Sequence, residues 1–155
     1  MKKIQVKKGE ILQYKGDLHS KVYWVESGLL RSYSIDDKGK EHIYMFAPEG
    51  WIIADNVHPD EHCDLFIDAL EDSIIVRNKK DIDGEHDIPK LLKRVSVLQK
   101  RVIMLMSASA IQRYEHFIET YPDIVQRVPQ KMIASYLGIT PEALSTVRSK
   151  RRKTK

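Results

Sequence analysis

The spacing of apolar residues changes near residue 88, and that change dictates two kinds of structure in one chain. Before it, short runs rich in Val, Ile, Tyr, Phe and Trp are separated by Gly, Asp and Pro breaks at the spacing of roughly 8 to 12 residues expected of an all-β domain. Strands are expected at Lys21–Val25, Leu29–Ile35, Glu41–Phe46, Trp51–Ala54, Leu65–Leu70 and Ile74–Arg77. Asp36-Asp37-Lys38-Gly39 supplies a hairpin turn, and a polar loop runs from Asp55 to Asp64. Many short strands with helices only afterwards imply a sandwich or barrel followed by a helical part.

From Ile88, residues Leu91, Val95, Leu98, Val102 and Leu105 recur at intervals of 4, 3, 4 and 3, as in the seam of a coiled coil. Leu92, Ile103 and Met106 widen the stripe, enough for it to be shared between the β-domain and a second copy of the chain. A helix buried only within its own chain is the competing reading. Ser107-Ala108-Ser109-Ala110 is a small-residue stretch where this helix ends and a second begins, running through Tyr114, Phe117 and Ile118 to Tyr121-Pro122.

The segment Pro129 to Lys150 reads as a helix-turn-helix. Met132, Ile133, Tyr136 and Leu137 make one apolar face, and Ala134 is small enough for a second helix to cross closely. Gly138 can take the positive φ that ends the first helix, and Ile139 fills the corner. Thr140 then suits the N-cap, Pro141 the first helical position, and Glu142 the positive end of the helix dipole. With Leu144 and Val147 packed inward, Pro141, Glu142, Ser145, Thr146 and Arg148 face outward, as in a recognition helix that enters the major groove.

Charge follows the same division. Residues 1–90 hold 13 Lys/Arg against 18 Asp/Glu, residues 91–124 hold 5 against 3, and residues 125–155 hold 8 against Glu142 alone. The net +4 thus conceals an acidic body joined to a basic end, the footprint of a module that binds a polyanion. Six of the last eight residues are basic: Arg148, Lys150, Arg151, Arg152, Lys153 and Lys155. They are placed to meet phosphates, which supply affinity rather than sequence choice. A solvated charged tail is the alternative.

Composition excludes other classes. At 155 residues and 42% hydrophobic, the chain can build a core of ordinary density in one domain or two small ones. No apolar run approaches the roughly 20 residues of a membrane span, and no apolar stretch follows the basic start MKKIQVKKGE, so a cytoplasmic protein without membrane contact is expected. A lone Cys63 rules out a disulfide framework and a four-thiolate zinc or iron-sulfur site.

With these motifs in hand, the chain resembles the Crp/Fnr (cyclic-AMP receptor protein and FNR) family of transcriptional regulators over nearly its whole length. In the β-part the resemblance rests on Gly9-Glu10-Ile11-Leu12, Gly16-Asp17, Val22-Tyr23-Trp24-Val25, Gly28, Arg31, Gly39-Lys40-Glu41 and Gly50 before Trp51-Ile52-Ile53; at the other end it rests on the helix-turn-helix. It implies an α+β fold: a cyclic-nucleotide-binding-type β jelly roll over residues 1–87, a dimerisation helix over 88–107 and a helix-turn-helix DNA-binding domain over 108–155. It implies double-stranded DNA and a second copy as partners, with RNA polymerase a further one for an activator. The DNA-contacting set is then Lys131, Thr140, Pro141, Glu142, Ser145, Thr146, Arg148, Lys150, Arg151 and Arg152. Glu142, Thr146 and Arg148 are aimed at base edges with Ser145 beside them, and Lys131, Lys150, Arg151 and Arg152 at phosphates.

Family members that bind a cyclic nucleotide hold its phosphate with a Gly-Glu pair and an Arg-Ser pair. Here those positions correspond to Ala54-Asp55 and Cys63-Asp64, and an acid where the phosphate's arginine should sit would repel the ligand rather than neutralise it. No cofactor is implied, the cysteine count excludes an FNR-type cluster, and any effector stays unidentified. Relative to the family, the leading helix is missing, the pairing helix is short and no β-hairpin wing follows the recognition helix, with the basic tail in a position to replace the wing's phosphate contacts.

Two further readings compete. A jelly roll also serves metal-dependent cupin enzymes, but His42 stands alone in a strand, His19, His86 and His116 are scattered, and His58 and His62 share a loop interrupted by Pro59. No P-loop, nucleophile elbow or catalytic triad is readable, so no enzymatic activity is expected. The other reading is a ligand-sensing or protein-interaction module of the same fold that lacks DNA-binding activity, with Trp24 and Trp51 lining a cavity.

Overall fold

The computed structural model describes residues 2–81 and 88–153, which fall into two compact units, Met1–Asp81 and Ile82–Lys155. The expected boundary at residue 87 and the terminal Lys155 lie outside the described residues.

The first unit has eight strands: β1 (Lys2–Val6), β2 (Ile11–Gln13), β3 (Lys21–Ser27), β4 (Leu30–Ile35), β5 (Glu41–Ala47), β6 (Ile52–Ala54), β7 (Phe66–Ala69) and β8 (Ser73–Lys79). They form two antiparallel sheets, ordered β1-β8-β3-β6 and β2-β7-β4-β5, the double-sheet arrangement of a jelly roll. Side chains alternate along each strand. In β3, Tyr23 and Val25 are buried while Trp24 and Glu26 between and beside them are exposed. Val6, Tyr23, Val25, Ile53 and Ile75 of one sheet meet Leu30, Met45, Ala47, Ile67 and Ala69 of the other in a single core.

The expected hairpin forms between β4 and β5, and Asp36 holds it. Its Oδ1 accepts the Lys38 and Lys40 amides at 2.9 and 3.0 Å, and its Oδ2 lies 2.8 Å from His42 Nε2. Between β3 and β4 the chain must turn tightly against β8. Gly28, at φ +94°, does this where a Cβ would stand 2.1 Å from Ser73 Oγ. Strands β1 and β2 go beyond the strands expected from sequence. Lys2, Lys3 and Gln5 dominate β1, and β2 has only three residues and a register shift, so neither shows a strong alternation.

The second unit is helical: α1 (Ile88–Ser107), α2 (Ala110–Thr120), α3 (Ile124–Arg127), α4 (Gln130–Leu137) and α5 (Pro141–Lys153). The break at Ser107–Ala110 falls where expected, because Ser109 opens α2 with a capping box. Ser109 Oγ accepts the Gln112 amide at 3.4 Å, and Gln112 Oε1 accepts the Ser109 amide at 2.9 Å. The single turn α3 goes beyond the helices expected from sequence. Phe117, Tyr121 and Tyr136 pack with ring centroids 5.4–5.6 Å apart, and around them Ile124, Ile133, Leu137 and Leu144 are fully buried. Along the seam of α1, Leu91, Val95 and Val102 are 51%, 59% and 55% exposed and Leu98 and Leu105 half-buried, while Leu92, Ile103 and Met106 beside it are more than half exposed.

Candidate nucleic-acid interface

The site is built by α4, a three-residue corner and α5. The last turn of α4 closes as a Schellman motif around Gly138, whose φ of 64° and ψ of 33° are left-handed. The Gly138 amide donates to Ser135 O at 3.1 Å and the Ile139 amide to Ala134 O at 3.0 Å. Thr140 caps α5, its Oγ1 accepting the Ala143 amide at 3.2 Å and its carbonyl the Leu144 amide at 3.0 Å. Pro141 takes the first position, where its missing N–H costs nothing. Hydrogen bonds from its own amide and from the Thr140 hydroxyl hold the Glu142 carboxyl below the ordinary carboxylate range, so it is ionised at neutral pH.

These caps fix which face of α5 looks outward. Leu144 and Val147 are buried, whereas Pro141, Glu142, Ser145 and Thr146 are exposed and Arg148 is half-buried. Thr146 Oγ1 donates to the Glu142 carbonyl at 3.1 Å, which fixes its rotamer on that face. Lys150, Arg151, Arg152 and Lys153 form the last described turn, where cations also oppose the negative end of the helix dipole. Lys131 is exposed in the first turn of α4. Of the predicted residues, Glu142, Ser145 and Thr146 are exposed together on α5, whereas Arg148 and Arg151 lie beside the buried Leu144 and Val147 and are half-buried, a correction to the outward position expected for Arg148.

The β-unit positions corresponding to a phosphate cradle are arranged differently. Asp55, only 3% exposed, turns its own carboxylate into the loop. Its Oδ2 accepts the amides of Asp64 and Leu65 at 2.8 Å each and Gln13 Nε2 at 3.2 Å, and its Oδ1 accepts the Asn56 amide at 2.8 Å. The Asp55 side chain thus takes up these four N–H donors itself. The acid expected to repel phosphate stands in the Cys63-Asp64 pair, and the part that Asp55 plays in gathering amides was not anticipated from the sequence. The signal was an aspartate directly after the apolar run Ile52-Ile53-Ala54.

Cys63 beside it is buried, and burial, with the Asp55 and Asp17 carboxylates adding, pushes its thiol up, away from the thiolate that oxidation requires. In the same loop His62 Nδ1 lies 2.8 Å from Gly16 O. Among the described residues no group of three or more His, Cys, Asp or Glu side chains is placed to hold a metal ion. Arg31 is structural: its guanidinium makes a fork to Asp68 at 2.8 and 2.9 Å, reaches Glu41 at 2.5 Å and stacks 4.1 Å over the Tyr33 ring. Burial pulls its pKa down, but bonds and charge from Asp68 and Glu41 outweigh this and raise it above the ordinary arginine range.

A two-sheet roll followed by a long helix and a helix-turn-helix is the architecture of Crp/Fnr-type regulators, and the family resemblance read from the sequence is borne out by relatives in both sequence and fold. Electron transport regulator A of Shewanella oneidensis is 26% identical over 93% of this chain and 66% of its own length. The Fumarate and nitrate reduction regulatory protein of Vibrio cholerae is 28% identical with the same coverage, so the chain spans about two thirds of these relatives. In fold it is similar to FixK2 from Bradyrhizobium japonicum, with a TM-score of 0.79 at 18% identity, covering 99% of this chain and 85% of the other. A Crp/Fnr-family transcriptional regulator from Thermus thermophilus gives 0.76 at 14% identity, covering 99% and 87%. No family model matches the chain. Among the described residues no helix is long and apolar enough to cross a membrane.

Proposed function

We propose that this protein is a cytoplasmic, homodimeric, sequence-specific DNA-binding transcriptional regulator of the Crp/Fnr type that does not respond to cyclic AMP. The observation that carries the reading is the capped helix α5, with Glu142, Ser145 and Thr146 exposed opposite buried Leu144 and Val147, Arg148 half-buried at the edge of that face, and a basic last turn. Two copies joined through the exposed seam of α1 would set two such helices in successive major grooves about 34 Å apart, favouring a palindromic site. Glu142, Thr146 and Arg148 would read base edges with Ser145, while Lys131, Lys150, Arg151 and Arg152 neutralise phosphates. In this assignment the jelly roll is a sensor-like body, the residues from 88 to 107 pair the protomers, and those from 108 onward bind DNA. RNA polymerase is a further partner for an activator. The reading is non-enzymatic. The anion already seated at Asp55 supports the absence of a cyclic-nucleotide response.

Selection from a randomised duplex pool, read by sequencing and by fluorescence anisotropy at two salt concentrations, tests the proposal. Enrichment of a palindrome with half-sites one turn apart is expected, with no change on adding cyclic AMP. Glu142→Ala should then change the preferred sequence. Arg152→Ala should weaken every duplex alike and reduce the salt slope by about 1. Salt-sensitive binding with no enriched sequence would refute sequence-specific regulation and favour an interaction module.

A further inference from the structure

Two helix C-termini in the second unit converge on one guanidinium. Arg113, in the first turns of α2, donates from Nη2 to Leu105 O at 2.7 Å, from Nε to Ala108 O at 3.0 Å and from Nη1 to Leu137 O at 3.1 Å. Leu105 lies in the last turn of α1, Ala108 in the link to α2, and Leu137 is the final residue of α4. Carbonyls at a helix C-terminus have no partner within the helix and carry the negative end of the dipole, so a planar cation with five donors suits two such ends at once.

The same groups lie against the corner between α4 and α5. A Cβ placed on Gly138 would lie 3.6 Å from Arg113 Nη1 and 3.8 Å from Leu105 Cδ2, so the guanidinium and the end of α1 pack directly on the turn between α4 and α5. A second arginine works in parallel. Arg101 of α1 stacks 4.0 Å over the Tyr136 ring and its Nη2 reaches Tyr136 O at 3.4 Å. The helix with the exposed apolar seam is thus tied to the DNA-facing corner through charged, directional bonds.

We propose that Arg113 is a positioning residue that fixes the angle between α1 and the helix-turn-helix, and so sets the separation of half-sites the protein accepts. The inference rests on the dimeric DNA-binding reading. A lysine at 113 would keep the charge but supply a single donor group, unable to span three carbonyls in a fixed plane.

The test compares wild type with Arg113→Lys in the whole chain, after circular dichroism has shown that the variant is folded. Each is titrated with duplexes that carry the selected half-site once, or twice with the spacer varied one base pair at a time. The spacing between α1 and α5 is measured without DNA from spin labels at Lys100 and Ser149, in Cys63→Ala protein diluted with unlabelled chains. Arg113→Lys should bind the single half-site as wild type does, lose about tenfold on the preferred spacer, and accept neighbouring spacers equally. Its label distances should broaden. An unchanged spacer preference with unchanged distances overturns the proposal. If Arg113→Lys does not fold, Arg113→Gln takes its place, and failure of both to fold also overturns it, since the residue then holds the unit together rather than orienting it. Failure of the wild type to select any half-site refutes the DNA-binding reading instead, and the label distances still decide whether Arg113 fixes the angle.

Discussion

The β-unit buries charged side chains and pairs them within itself, whereas the helical unit exposes apolar side chains and a cationic turn. In the roll, buried Arg31 is matched by Asp68 and Glu41, and buried Asp55 by four N–H donors. In the helical unit the polar face of α5 is exposed, its last turn is basic, and α1 leaves Leu91, Val95 and Val102 in water. Burying a charge without partners costs several kcal/mol, so a unit that buries charges must complete their shells itself. Exposed apolar and cationic surface is tolerated by a chain that covers it with something else. One unit is finished by folding, and in the proposed dimer on DNA the other is finished by association.

That contrast can be broken in the roll first. Arg31→Met should cost about 3–5 kcal/mol in urea unfolding, because Asp68 stays buried without its partner. A loss below about 1 kcal/mol would show that water already shares the pair. Val95→Glu with Val102→Glu should turn a dimer into a monomer in sedimentation and lower affinity for a palindromic duplex about a hundredfold. An unchanged sedimentation coefficient would mean that α1 is not the surface through which the helical unit is completed. Asp55→Ala strands the amides of Asn56, Asp64 and Leu65, and a loss of about 1–3 kcal/mol is expected. Added phosphate should then raise the melting temperature of Asp55→Ala but not of wild type, which would sharpen the claim that the roll carries its own anion. The smallest effect is Thr140→Ala, about 1 kcal/mol from the lost cap, read as a lower melting temperature.

What the sequence made legible follows from how local each cause is. The heptad spacing marks α1 from Ile88 to Ser107, and Gly138, Thr140 and Pro141 mark the corner, because periodicity and caps act within a few residues. The exposed face of α5 was readable for the same reason, since burial of Leu144 and Val147 fixes the opposite face. Strand β1 was hidden because its partner β8 lies some seventy residues away and its own outer face is charged. Asp55 and Arg113 were hidden too. Asp55 accepts amides from nine and ten residues on, and Arg113 donates to Leu137, 24 residues on, so only the folded chain brings these partners together.

Gly28 has a consequence for genetics. Its positive φ and the Ser73 hydroxyl leave no room for any other side chain, and it lies in the roll, on a unit separate from α5. A screen for lost regulation should therefore recover missense alleles at codon 28 whose protein is scarce in the cell although every residue of α5 is intact. Such alleles would be suppressed by lower growth temperature, whereas alleles at Arg148 would not.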